Sequence, residues 1–249
     1  MRLFITEWKK IRRRHIGMLF TATWIIDFIW MHWAMNGSDF IYNQEYNDML
    51  LSLPLINAVF LPTILAAAAS RLCDIEIKGN TLKMLCTMEP RQSIFHTKLL
   101  IGTVYLFLFS LAQTALIPLL GAILSAKQEM PVVRIWLFCI STFGISLVLF
   151  LIQQSVSLLS GNQLFPLFLG VGGSFVGVFT WFFPQLPLRY ILPWGYYCVV
   201  LTVNMSYDQA TRDVTYYAAP FPTGFFLGFL AFGILVYMVG KRLFMNGEI

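Results

Sequence analysis

The sequence predicts an all-α polytopic membrane protein with six transmembrane helices in a single domain, residues 1–249. Of the residues, 58% are hydrophobic and only 12% are charged, whereas about a quarter of the residues in a typical soluble domain are charged. The apolar residues also fall into runs of roughly 20, the length that crosses the hydrocarbon core of a bilayer. Together these observations place most of the chain in a membrane.

Charge and cysteine usage argue against two other classes of function. The formal net charge is +5, but the basic residues form short clusters beside apolar runs, without the interleaved aromatic residues of a nucleic-acid-binding surface. We therefore expect no nucleic-acid partner. The cysteines are scattered without a C-x-x-C spacing, so we expect neither a disulfide framework nor a metal site.

The N-terminal segment, residues 1–16, combines five Lys and Arg residues between positions 9 and 14 with an apolar side. As a helix it would lie along anionic headgroups as an interfacial amphipathic segment. The alternative is a basic flank that only fixes the orientation of the first span. We expect the apolar run that follows to be retained, because Asp27 interrupts it and no A-x-A cleavage site comes after it.

Six apolar runs are long enough to cross the membrane. They are residues 17–35, 49–70, 99–124, 135–156, 164–183 and 222–240. Pro54 and Pro62 lie inside the second run, where they would kink the helix unless neighbours satisfy the freed carbonyls.

One further apolar stretch, residues 188–203, lies in a region that we expect to be extracellular, residues 184–217. It is shorter than a span and contains Pro193 and Gly195. Segments of this length are more typically re-entrant or interfacial than spanning. We therefore expect a re-entrant or interfacial segment before the last transmembrane helix.

The distribution of Lys and Arg predicts that both termini are cytosolic. With that orientation thirteen basic residues lie inside and four outside, which accounts for all seventeen and matches the positive-inside rule. The inner set is Arg2, Lys9, Lys10, Arg12, Arg13, Arg14, Arg71, Lys78, Lys83, Arg91, Lys98, Lys241 and Arg242. The outer set is Lys127, Arg134, Arg189 and Arg212.

The longest charged segment, residues 71–98, would then be a cytosolic loop between the second and third spans. Gly79 and Asn80 form a first break and Pro90 a second, and a run with apolar residues lies between them. This pattern predicts a short amphipathic helix. A helix presented at the membrane surface is well placed to enter a groove on a soluble partner.

This loop resembles that of ABC-2 type transporter permeases, particularly the immunity exporters with which bacteria protect themselves from their own lantibiotics and bacteriocins. The resemblance is carried by Glu76, Gly79, Asn80, Thr81, Leu82, Leu85, Pro90, Arg91 and Lys98. It implies that residues 71–98 are a coupling element, with the Thr81 to Leu85 helix in a groove of a separate ATP-binding subunit. The ATPase-coupling residues that it implies are Glu76, Gly79, Thr81, Leu82, Leu85, Pro90 and Arg91. Asn80 separates Gly79 from Thr81, which are adjacent in many relatives.

The resemblance also implies the function, the partners and the location. This chain would be the permease subunit of an exporter that removes cationic antimicrobial peptides from the bacterial cell membrane and so confers immunity or resistance. Two ATP-binding subunits and a second permease, identical or related, would assemble with it. The chain contains no phosphate-binding G-x-x-x-x-G-K-[ST] loop, so ATP and magnesium are expected in the partner and no enzyme activity in this chain.

Asp27 is the carboxylate that lies deepest in a predicted span. An ionisable group there costs a few kcal/mol and by default faces protein or water. It is either a site for a proton or a cationic peptide, or a packing contact with a neighbouring helix. On an ideal helix Asp27 and His32 point roughly 140° apart, so they are not a ready pair.

Two other functions stay open from the residues alone. The first is a proton-coupled secondary transporter or channel that uses Asp27, and it predicts loss of transport in Asp27→Asn. The second is a membrane anchor without transport, whose loop only positions a partner. An inactive ATPase partner would leave the anchor's function intact.

Glycine pairs and buried amides predict how the spans pack. Gly173 with Gly177, and Gly224 with Gly228, have the small-xxx-small spacing that lets helices approach closely. We expect both pairs to pack within the chain, with contact across a dimer as the alternative. Four amide side chains are expected to hydrogen-bond between helices: Asn57, Gln113, Gln153 and Gln154.

Overall fold

The computed structural model describes residues 8, 10, 14–36, 44–79, 82–183, 185–207 and 214–247, without the side chains of residues 75–78, 82 and 83. In this part of the chain six helices are long and apolar enough to cross a membrane, as predicted. These six are α1 (Ile16–Met35), α2 (Glu45–Lys78), α4 (Arg91–Ile123), α5 (Val132–Leu159), α6 (Leu164–Phe182) and α9 (Thr223–Asn246). The shorter helices are α3 (Leu82–Met88), α7 (Leu188–Ile191) and α8 (Tyr196–Val199).

The helix boundaries differ from the predicted spans mainly at α2 and α4. Residues 71–78 contain no glycine or proline before Gly79, so α2 continues as a helix well past the predicted end of the span at residue 70. The helix also runs through Pro54 and Pro62. At the N-terminus, most of the predicted interfacial helix, residues 1–16, lies outside the described residues.

Helices α2 and α5 form the centre of the bundle. In each of them 67% of the most apolar window is buried, compared with 22% in α9. Two apolar clusters surround these central helices. One contains Leu65, Phe95 and Phe244, and the other contains Met49, Leu116 and Phe138.

Helix α6 packs closely on α2 because glycine lines the contact. A Cβ atom on Gly177 would lie 2.9 Å from the carbonyl oxygen of Ala58, and one on Gly173 would fall on the Trp194 ring. The intrachain packing predicted for this pair is therefore confirmed. The same prediction is wrong for the second pair, since no described part of the chain would lie within 4 Å of a Cβ on Gly224 or Gly228.

The stretch at residues 188–203 does not span the bundle. It contains α7, a single 3-10 turn (Pro193–Gly195) and α8. Its aromatic residues are packing residues: the Tyr196 ring stacks on Phe229 with centroids 3.9 Å apart, and the buried Tyr197 hydroxyl lies 2.8 Å from Ser146 Oγ.

A two-stranded antiparallel hairpin follows this stretch and was not predicted. It consists of β1 (Val203–Tyr207) and β2 (Val214–Ala218), with Val203 opposite Ala218. The hairpin is tied to the start of α2, because the Tyr216 hydroxyl donates to Asp48 at 3.0 Å and the Tyr216 amide donates to Gln44 at 2.9 Å. We call this the hairpin end of the bundle, and the opposite end, which carries α3, the short-helix end.

At the hairpin end, the segment that joins α4 and α5 also contacts the start of α2. Gln128 Oε1 accepts from the amides of Tyr46 at 2.9 Å and Asn47 at 3.2 Å. These amides belong to the first turn of α2, where helix N–H groups lack partners within the helix. A side chain distant in sequence therefore caps one of the two central helices.

Candidate functional site

The predicted coupling segment, residues 71–98, is largely helical. Glu76 lies in the last turns of α2, Gly79 forms the turn after it, and α3 follows at Leu82. Pro90 stands immediately before α4, with φ −59° and ψ 130°. Thr81 lies outside the described residues, so its assignment stays a prediction. The short helix expected between Gly79 and Pro90 is present, and its role in coupling stays a prediction.

Helix α3 has one exposed apolar face. Met84 and Met88 are four residues apart and are 64% and 70% exposed, whereas Leu85 is half-buried. Positions four apart share a helix face, so the two methionines form one continuous surface. The resemblance implied docking by the helix from Thr81 to Leu85, which includes Met84, whereas Met88 was missed, although its i, i+4 spacing from Met84 was visible in the sequence.

Arg91, at the start of α4, binds the end of the last span. Its guanidinium donates to the carbonyl oxygens of Met245 at 3.0 Å and Gly247 at 2.8 Å, with Phe244 O at 3.5 Å. The last carbonyls of a helix lack partners within the helix and carry partial negative charge. Arg91 is therefore a side-chain cap for α9, a contact that the sequence does not reveal.

Arg91 also lies beside α3. Burial raises the pKa of the Cys86 thiol, and the adjacent Arg91 guanidinium partly offsets this by favouring the thiolate. The same guanidinium thus faces α3 on one side and the end of α9 on the other. Of the predicted coupling residues, Pro90 and Arg91 lie at this junction of α3, α4 and α9, and Leu85 lies within α3.

The next two turns of α4 bind three other spans. The fully buried Lys98 ammonium donates to Leu72 O of α2 at 2.6 Å, and His96 Nε2 lies 2.6 Å from the Tyr237 hydroxyl of α9. Gln154 of α5 donates to Phe95 O at 3.0 Å. Lys98 was predicted at the end of the cytosolic loop, but the longer α4 places it inside the bundle.

An ion pair at the short-helix end joins the residues before α1 to α2. Arg14 lies 3.8 Å from the Asp74 carboxylate, and Arg71 donates to Arg14 O at 3.1 Å. These contacts hold the beginning of the first span against the extension of α2. Together with the contacts of α4, they tie five of the six spans to one another at the short-helix end.

Asp27 lies in a separate buried polar cluster in the middle of the bundle. Gln113 Nε2 donates to Asp27 Oδ2 at 2.8 Å and to Asn57 Oδ1 at 2.7 Å. Asn57 in turn donates to Gln113 Oε1 at 3.0 Å. All three side chains are at most 1% exposed. The cluster joins α1, α2 and α4, and it confirms the predicted hydrogen bonds between helices for Asn57 and Gln113.

The cluster leaves one oxygen of Asp27 without a partner. Among the described residues nothing hydrogen-bonds to Asp27 Oδ1. His32, five residues further on, lies instead against Asn36, with 3.1 Å between Nε2 and Nδ2. Asp27 and His32 therefore do not pair, as the helix geometry predicted, and the structure shows Asp27 in a packing contact.

The described residues offer no cluster of metal ligands. Within the described ranges no group of three or more His, Cys, Asp or Glu side chains is arranged to hold a metal ion. The polar chemistry of these residues instead joins helices to one another.

Comparison with known proteins identifies the family. A family model described as ABC-2 family transporter protein matches residues 3–177, which include α1 to α5 and most of α6. A comparison with curated proteins found no match. Proteins of this family are the membrane subunits of ABC transporters, not the catalytic ones, and the family implies an ATP-binding cassette partner. The matched region covers well over half of the chain, which therefore belongs to the ABC-2 family of transporter proteins.

Proposed function

We propose that this permease exports cationic, amphipathic antimicrobial peptides from the bacterial cell membrane, with its short-helix end and both termini in the cytosol. The observation that carries the docking part of this proposal is α3, a short helix held between the extended ends of two spans. Its Met84 and Met88 side chains are exposed on one face. Methionine is an adaptable side chain that is common at binding surfaces.

The energy for export comes from a separate subunit. Two ATP-binding subunits, carrying ATP and magnesium, dock at the short-helix ends of two permeases, which are identical or related chains. The absence of a phosphate-binding loop from this sequence supports this division of labour. Closure of the two ATPases on ATP would move α3, and α3 would move the spans.

The resemblance to lantibiotic and bacteriocin immunity permeases supports a peptide as the substrate. This resemblance lies in the order of residues between Glu76 and Lys98. Removal of such a peptide from the membrane would give immunity or resistance. Cells that contain this permease and its ATPase should therefore survive higher concentrations of a cationic lantibiotic than cells with an ATPase that cannot hydrolyse ATP. Equal survival would exclude peptide export as the function.

The docking surface can be tested by changing its charge. Met84→Asp with Met88→Asp would bury two carboxylates at the interface, so this double variant should lose co-purification of the ATP-binding subunit while still inserting into the membrane. Leu82→Asp with Leu85→Asp tests the residues implied by the resemblance. The matched control is Met130→Asp with Met205→Asp, two methionines that are 47% and 54% exposed near the hairpin end.

The control variant should retain the partner at the wild-type level. Co-purification that is unchanged in both the Met84 and Met88 double variant and the Leu82 and Leu85 double variant would show that α3 is not the docking helix.

Proton-coupled transport through Asp27 is the rival function. Two observations favour it. The Asp27 carboxyl group is fully buried in a spanning helix, and no described residue hydrogen-bonds to its Oδ1 atom. It predicts transport that depends on a pH gradient and continues without ATP. The two functions are separated by a transport assay in membranes from which the ATP-binding subunit is missing.

A further inference from the structure

The contacts of Arg91 point to a route by which movement at α3 reaches the last span. Only Glu89 and Pro90 separate α3 from Arg91. The Arg91 guanidinium lies next to Cys86 of α3 and donates to two carbonyl oxygens at the end of α9 at 2.8 and 3.0 Å. One side chain thus lies beside the proposed docking helix and hydrogen-bonds to the final span.

Neighbouring contacts reinforce this junction. His96 lies 2.6 Å from the Tyr237 hydroxyl, and the Phe95 ring lies near Phe244, with centroids 6.3 Å apart. A Cβ on Gly240 would fall on the Ser155 side chain, so α9 also fits closely against α5 here. The short-helix end of α9 is therefore firmly held by its neighbouring helices.

The rest of α9 packs on α5 along one side, where Phe226 and Phe229 are buried and a Cβ on Gly233 would lie 2.5 Å from Val148, and is exposed on its other side. Only 22% of its most apolar window is buried, the lowest value of the six spans. Near the hairpin end of the helix, a Cβ placed on Gly224 or Gly228 would have no described neighbour within 4 Å. A displacement of the short-helix end of α9 would therefore act against its contacts with α5, whereas at Gly224 and Gly228 no described neighbour would oppose the movement.

We infer that Arg91 is a positioning residue that makes the last span follow α3 when ATP-binding subunits move it. The inference rests on the proposed function, because it assumes that an ATPase docks on α3. Arginine suits the task because its planar group holds several donors in a fixed arrangement and keeps its charge. Arg91→Lys would keep the charge but lose this geometry, and Arg91→Gln would lose both.

Environment-sensitive labels on two spans can test this inference in the complete complex. One label is attached at Gly228→Cys on α9, and the other at Phe107→Cys on α4, a residue that is 50% exposed. The background replaces the half-buried Cys86 by serine, whose hydroxyl keeps a polar partner beside Arg91, and the other native cysteines are buried. The label signals are then compared with and without a non-hydrolysable ATP analogue.

In the parent complex both labels should respond to the ATP analogue. In Arg91→Gln the α4 label should still respond, whereas the ratio of displaced to undisplaced α9 should fall about tenfold with the loss of charged hydrogen bonds. Arg91→Lys should give an intermediate value. Arg242→Gln removes an exposed cation from the same end of α9 and should leave both responses unchanged.

Two results would overturn the inference for different reasons. An α9 response that is unchanged in Arg91→Gln, with the ATP-binding subunit still bound, would show that α9 moves by another route. Failure of the unmodified chain to retain any ATP-binding subunit would overturn the proposed function and the inference with it. Thermal unfolding of each variant distinguishes a specific loss of the α9 response from general destabilisation of the protein. Arg91→Gln should also bind the ATP-binding subunit normally.

Discussion

At the scale of single residues, Asp27 shows which properties of a buried acid can be predicted from the sequence. Its position in an apolar run identifies it as a buried acid that needs a partner. The partners themselves cannot be found in this way, because Gln113 is 86 residues away and Asn57 is separated from Gln113 by 56 positions in sequence. Only the packing of three helices brings them together.

Substitution of Asp27 separates its structural role from a proton-carrying role. Asp27→Asn keeps an acceptor for Gln113 and removes the titratable group, so this variant should fold and transport normally. Asp27→Leu removes the acceptor and should destabilise the bundle by about 0.5–2 kcal/mol, the range for hydrogen bonds between membrane helices. Unfolding in mixed detergent measures the stability, and a peptide export assay measures transport.

The opposite pattern would favour the rival function. If Asp27→Asn folds with normal stability but loses all transport, the carboxyl group itself is required, and proton coupling through Asp27 becomes the better explanation. His32→Gln provides a control, since His32 lies on the same helix and hydrogen-bonds to Asn36 outside the cluster.

Arg91 is a second residue whose hydrogen-bond partners could not be predicted from the sequence. The resemblance places it among the coupling residues, and the structure places it at the junction of α3, α4 and α9. Its hydrogen bonds to α9 cross 154 and 156 residues of sequence. Nothing in the local sequence around Arg91 indicates that its target is a helix end so far along the chain.

At the scale of elements, the spans were predictable and their extensions were not. Apolar runs locate the hydrocarbon-crossing parts of all six helices, because a bilayer requires a minimum apolar length. Where α2 and α4 leave the apolar region, helix propensity and the next glycine or proline decide their ends. The charged residues between 71 and 78 suggested a loop, yet most of them form helix readily.

The hairpin was missed for a different reason. Tight hairpins are recognised by two-residue turns rich in Asn, Asp and Gly, whereas β1 and β2 are joined by the longer segment 208–213. The strands are also held from outside the hairpin, through the contacts of Tyr216 with Gln44 and Asp48. A pattern of local residues does not contain that information.

Two glycine substitutions test the packing of the helices. Gly177→Ala would place a methyl group 2.9 Å from the Ala58 carbonyl oxygen, so it should destabilise the protein by about 1–3 kcal/mol, as overpacking does. Gly228→Ala meets no described neighbour within 4 Å and should be neutral or stabilising by up to about 1 kcal/mol, because alanine favours helix.

Both glycine variants are compared by unfolding of the purified permease alone. Equal stability of the two variants would show that α6 and α2 do not pack as closely as the structure indicates.

At the scale of the whole molecule, polar contacts at different depths organise an apolar bundle. The hairpin end fixes the start of α2, the Asp27 cluster joins three spans in the middle, and the short-helix end ties α3 and α4 to the last span. The composition predicts that such a bundle lies in a membrane. It does not predict which end receives a partner, which is inferred from the position of α3 and from the family.

The proposed mechanism requires that this permease works with a separate ATP-binding subunit. Affinity purification from the native membrane in mild detergent, followed by identification of the bound proteins and an assay of ATP hydrolysis, tests it most directly. We predict a stoichiometric ATP-binding subunit and measurable hydrolysis that is lost with the Met84 and Met88 double variant. Recovery of this chain alone, without hydrolysis under several extraction conditions and with transport intact, would contradict the claim.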